Sequence, residues 1–115
     1  MSGNVTPLFP NGQPRSQTLF DRLELNLIMN LYGRMVAAGH WRDYALDMER
    51  DEARFSAFRR TADRPEIAIV KRPALARKQG AYILVGEAGQ ILKRGDDLKA
   101  LLAPVERRLV KLIDA

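Results

Sequence analysis

Five short segments rich in aromatic and β-branched residues lie between two stretches of helical periodicity, and the connections joining them are too short to carry crossover helices. The segments are WRDYALDM (41–48), RFSAFRRT (54–61), EIAIVKR (66–72), AYILVGE (81–87) and QILKR (90–94). Glu49–Ala53, Ala62–Pro65 and Ala88–Gly89 supply the turns. A parallel pair needs a connection of roughly a dozen residues or more, so this spacing predicts an antiparallel meander of about five strands.

The flanking stretches show the other period. Leu23, Leu27, Leu31 and Met35 recur every four residues, with Ile28 and Tyr32 widening the stripe, which predicts an amphipathic helix over 21–38. Asp21 and Glu24 have capping-box spacing, and Gly39 provides the stop. A second helix is expected over 97–113, capped by Asp96, with Leu98, Leu101, Leu102, Val105, Leu109, Leu112 and Ile113 on one face and a kink at Pro104. The expected fold is therefore α+β, in the order N-terminal helix, antiparallel meander, C-terminal helix. Tyr44, Leu46 and Met48 should share one sheet face with Trp41 on the other, and Tyr82 and Leu84 should oppose Ile83 and Val85. With both helices on one face, the other would expose an apolar patch, and a homodimer through that face or its edge is the expected assembly.

At 115 residues the chain has room for one core. The first 18 residues, with Pro7, Pro10, Pro14, Gly3 and Gly12 and one apolar cluster at Val5, Leu8 and Phe9, read as a mobile tail ahead of a single domain over 19–115. No apolar run reaches the roughly 20 residues of a membrane helix, and the N-terminus lacks the basic start and apolar stretch of a signal peptide. With no cysteine in the chain, a cytoplasmic protein without membrane association is expected.

The inventory of reactive side chains is thin. His40 is the only histidine, serine occurs at Ser2, Ser16 and Ser56, and cysteine is absent, so no enzyme built on a familiar nucleophile is expected, and no cofactor or zinc. His40 reads as a loop residue touching a helix C-terminus. Asp47, Glu49, Asp51 and Glu52 could offer oxygens to a hard cation, but Arg50 sits among them and the glycine of a calcium loop is missing; a solvated hairpin is the simpler reading. Gly86–Gly89 joins two strands and opens no helix, so it is a turn rather than a phosphate loop.

Charge is unevenly placed. The net charge is +5, and residues 54–94 carry ten Lys and Arg against three Asp and Glu. The basic set is Arg59, Arg60, Arg64, Lys71, Arg72, Arg77, Lys78, Lys93 and Arg94, densest in KRPALARKQGAY (71–82), where Tyr82 could stack on a base. Arg59, Arg60, Lys71, Arg72, Arg77, Lys78, Tyr82, Lys93 and Arg94 are thus the candidate partner-binding residues. The expected role is a non-enzymatic binding or regulatory module presenting the basic loop and sheet edge to a protein partner. RNA or single-stranded DNA is the alternative partner, although no ribonucleoprotein aromatic motif, KH-type loop or zinc finger is present.

The strings FDRLELNLIMNLYGRMVAAGHWRDYALDM, RFSAFRR, KRPALARKQGAY and ILKRGDDL together resemble the domain-of-unknown-function family 2794 of small alphaproteobacterial proteins, from about Phe20 to Ile113. The resemblance implies a bacterial cytoplasmic protein and assigns no catalytic, metal or cofactor residue.

Overall fold

The computed structural model describes residues 17–60 and 64–114. Helix α1 (Arg22–Ala37) leads into strands β1 (Asp43–Met48), β2 (Ala53–Phe58), β3 (Ile67–Lys71), β4 (Tyr82–Val85) and β5 (Ile91–Gly95), and helix α2 (Leu98–Asp114) closes the fold. The strands form one antiparallel sheet in the order β1-β2-β3-β4-β5. This is the expected α+β meander between two helices.

Local chemistry sets the ends of α1. Asp21 accepts a hydrogen bond from the Glu24 amide at 2.8 Å, and the Asp21 amide donates to Glu24 Oε1 at 2.7 Å, completing the capping box. At the far end the Gly39 amide donates to Val36 O and the His40 amide to Met35 O, with Gly39 at φ +78°. This pair of bonds is a Schellman motif, and it needs a residue that tolerates positive φ. The chain is thereby turned sharply, so that His40 and Trp41 follow the helix end at a fixed angle.

Both helices pack on one sheet face. Ile28, Leu31 and Met35 of α1 and Leu98, Leu101, Leu102, Val105 and Leu109 of α2 share a core with Ala53, Phe55, Ala57, Ile67, Ile69 and Leu84. Each large apolar side chain buried there contributes roughly 1.5–3 kcal/mol relative to exposure. Tyr32, Trp41, Tyr44 and Phe55 add an aromatic cluster at the β1 side, with Tyr44 and Phe55 stacked at 5.4 Å.

Four expectations are corrected. The buried stripe of α1 is Glu24, Ile28, Leu31 and Met35, whereas Leu23 is 75% and Leu27 39% exposed. Trp41 lies in the helix-side core, because it precedes β1 and strand alternation does not reach it. Asp97, not Asp96, caps α2: its carboxylate accepts from the Lys99 and Ala100 amides, while Asp96 accepts from the Ala81 amide. The fourth concerns the face away from the helices. Ala68, Val70 and Ile83 on that face are buried rather than open to solvent.

α2 runs as one helix through Pro104, which has no amide to offer Ala100 O. Lys93 Nζ donates to that carbonyl at 2.7 Å in its place. The hydrogen bond that proline removes is thus restored from β5.

The expectation of a mobile tail falls largely on residues 1–16, outside the described residues. Gln17 and Thr18 are fastened to the β1–β2 hairpin, the Thr18 amide donating to Glu49 O at 2.7 Å and its hydroxyl to Arg50 O at 2.8 Å.

Candidate functional site

The meander gives the sheet two ends. One holds the β1–β2 hairpin, the β3–β4 loop and the starts of both helices; the other holds the start of β1, the end of β2 and the start of β3. Each end contains one buried carboxylate.

Glu66 occupies the second end. It stands just before β3, its amide bonded to Ala57 O at 2.8 Å, and is only 6% exposed. Trp41 Nε1 donates to its Oε1 at 2.7 Å and Arg108 Nη2 at 2.9 Å, Arg59 Nε donates to Oε2, and His40 Nε2 lies 3.0 Å from Oε2. The Schellman turn delivers His40 and Trp41, the β2–β3 hairpin delivers Arg59, and α2 delivers Arg108. Burial by itself would raise the Glu66 pKa, but the hydrogen bonds from Trp41, Arg59 and Arg108 and the charge of Arg108 outweigh it and hold the carboxyl at about 2. The carboxylate is therefore ionised at neutral pH and a poor proton acceptor. His40 Nε2 also meets Arg108 Nη2, so the same ring nitrogen faces a cationic donor and a carboxylate.

Glu24 occupies the first end. Besides the Asp21 amide it accepts from Lys71 Nζ at 2.7 Å and from the Tyr82 hydroxyl, and Lys71 Nζ also donates to Leu19 O at 2.8 Å. Burial, followed by the hydrogen bond to Glu24 and its charge, pushes the Tyr82 phenol well above its ordinary value of 10.0. The folded protein then keeps the phenol proton where the unfolded chain loses it. The resulting stability is present below about pH 10 and declines as pH rises beyond it. Tyr82→Phe is expected to remove this alkaline limb, so that denaturation midpoints at about pH 9 and about pH 11 converge in the variant and diverge in wild type.

The structure divides the nine residues singled out by sequence. Arg59 and Arg60 lie at the Glu66 end, whereas Lys71, Arg72, Arg77, Lys78 and Tyr82 lie at the Glu24 end, with Arg94 opposite Ile83 on β5. Arg59, Lys71 and Tyr82 serve the two carboxylates and Lys93 serves Ala100 O. Tyr82 packs against the core rather than standing ready to stack on a base. Arg60, Arg72, Arg77, Lys78 and Arg94 are exposed, Arg72 lying 3.9 Å from Glu52. Among the described residues no three His, Asp or Glu side chains, those of the β1–β2 hairpin included, converge to hold a metal ion.

Sequence reasoning missed Glu66, Trp41 and Arg108 and gave His40 no partner. The one local signal is an acid at the head of an apolar strand, in Glu66-Ile67-Ala68-Ile69-Val70.

A family model described as protein of unknown function, DUF2794, matches residues 18–102. The chain belongs to this family. The DUF2794 match contains Glu24, His40, Trp41, Arg59, Glu66, Lys71 and Tyr82, and stops short of Arg108. No curated protein and no solved structure matches the chain significantly. Among the described residues no helix is long and apolar enough to cross a membrane.

Proposed function

We propose that the protein is a non-catalytic binding module that engages a macromolecular partner through its helical layer, in a reducing cytoplasmic setting that suits a chain without cysteine. The observation that carries this reading is the outward stripe of α1, where Leu23 and Leu27 stand one turn apart and face solvent, Leu27 beside α2. Apolar residues at helical spacing on an outer surface are what a docking helix or groove presents. The Glu66 cluster supports the non-catalytic part of the reading, since a carboxylate held by three donors, Trp41, Arg59 and Arg108, serves better as a structural pin than as a base.

A second reading, nucleic-acid association, is favoured by the gathering of Arg72, Arg77, Lys78 and Arg94 toward one end of the sheet. One experiment separates the two: recovery of the tagged protein from its native cells, with and without nuclease, beside a Leu23→Glu/Leu27→Glu variant. A partner retained after nuclease and lost from the variant is the expected result. Nuclease-sensitive recovery that survives in the variant would replace the first reading with the second, and recovery no greater than the tag alone would overturn both.

A further inference from the structure

We infer that the trough between α1 and α2 receives an amphipathic helix with acidic flanks from a partner protein, an assignment that rests on the binding-module reading above. The two helices run in the same direction. Each starts at the Glu24 end of the sheet, and residues beyond the end of α1 and near the end of α2, His40 and Arg108, meet at Glu66. Between them lies a trough of about 640 Å³ with Leu27, Leu102 and Ala103 among its lining residues. That volume accommodates several side chains. The apolar line continues past the trough at both ends, through Leu23 one turn before Leu27 and Val110 two turns after Ala103, and both are more than half exposed. A third helix laid along this line would meet it with residues spaced i, i+3 or i+4, i+7.

Charge selects the occupant. Arg34 and Glu106 span the trough and neutralise one another, with Nη1 to Oε2 at 3.0 Å. Lys99 and Arg107 also line it, and among the described residues neither has an ion-pair partner. The trough therefore has uncompensated positive charge, which complements acidic flanks. The chain's own first 16 residues carry a single charged side chain, Arg15, and so lack that complement. A second copy would bring another molecule of net charge +5 and the same basic trough, which opposes self-association here.

The test uses the full-length chain and three synthetic probes of roughly 18 residues, long enough for a few helical turns. The first has Leu at i, i+3, i+4 and i+7 and Glu on the flanks; the second replaces every Glu by Lys; the third scrambles the first. Fluorescence anisotropy is expected to show saturable binding of the acidic amphipathic probe, weakening about tenfold between about 50 mM and about 300 mM salt, with the other two at least about tenfold weaker. Lys99→Glu/Arg107→Glu is expected to invert the preference toward the Lys probe while the melting temperature stays within a few degrees of wild type. Equal affinity for all three probes, or a preference that the double substitution leaves unchanged, would overturn the assignment. If the acidic probe fails to bind while nuclease-resistant recovery from cells survives Leu23→Glu/Leu27→Glu, the trough is refuted and a binding role elsewhere on the surface remains; if recovery fails as well, both fall.

Discussion

Glu66→Gln is expected to lower the melting temperature by more than about 10 °C at neutral pH. The substitution keeps the side chain's shape but removes its charge, leaving Arg59 and Arg108 without their carboxylate and placing an amide group among the Trp41, Arg59 and Arg108 donors. Removing one partner of a buried ion pair costs about 3–5 kcal/mol, and each kcal/mol moves the midpoint of a domain this size by about 4–8 °C. The acid side supplies an independent check. Glu66 is held at about 2, below its ordinary 4.5, so its contribution is fully present above pH 4.5 and is lost as pH falls from there toward 2. By linkage the loss is about 3 kcal/mol, the same order as the mutational cost. Melting curves at a series of pH values should show wild type and variant approaching one another across that window, with Trp41 fluorescence reporting the environment of the carboxylate directly. A variant that melts within about 2 °C of wild type at pH 7 would show that the cluster contributes little to stability. Arg59→Gln should cost less than Glu66→Gln, since the Arg59 side chain is 58% exposed and solvent screens its charge.

Much of the fold was legible because it depends on short-range signals. Asp21 and Glu24 marked the start of α1, Gly39 its end, and the brief connections between strands excluded a parallel sheet. The errors have equally specific causes. Each step of four residues advances about 40° around an α-helix, so Leu23, Leu27, Leu31 and Met35 spiral away from a single face. Alternating steps of four and three keep Glu24, Ile28, Leu31 and Met35 on the core side, and an acidic first member disguised that seam. At α2 the expected cap was Asp96, but the Ala81 amide, distant in the chain, takes its carboxylate, and the neighbouring Asp97 caps the helix instead. The buried carboxylate sites were illegible for a related reason. Glu66 gathers partners between 7 and 42 residues away, and only the folded backbone brings them together. Basic density along the chain likewise shows where cations are numerous, without separating Arg77 and Lys78, which face solvent, from Lys71 and Lys93, which turn inward to oxygen acceptors.

That separation can be measured. Lys71→Met is expected to destabilise the protein by about 3 kcal/mol, whereas Arg77→Glu/Lys78→Glu should change stability by no more than about 0.5 kcal/mol at either site. Methionine keeps most of the aliphatic stem, so the cost falls on Glu24, whose buried carboxylate would lose the cation at 2.7 Å and retain only the Asp21 amide and the Tyr82 hydroxyl. The Leu19 carbonyl would lose a donor in the same step. Adding Glu24→Gln to Lys71→Met removes the stranded charge and should recover part of the loss, giving a coupling of about 1 kcal/mol or more in a double-mutant cycle followed by urea denaturation. A neutral Lys71→Met, or a double substitution whose cost is the sum of the single ones, would mean that the ion pair does not hold the β3 end against α1, and would return Lys71 to the pool of cations available for contact with a partner. The expected outcome leaves that pool to Arg72, Arg77, Lys78 and Arg94 at this end of the sheet, so that charge reversal there tests binding without disturbing the fold.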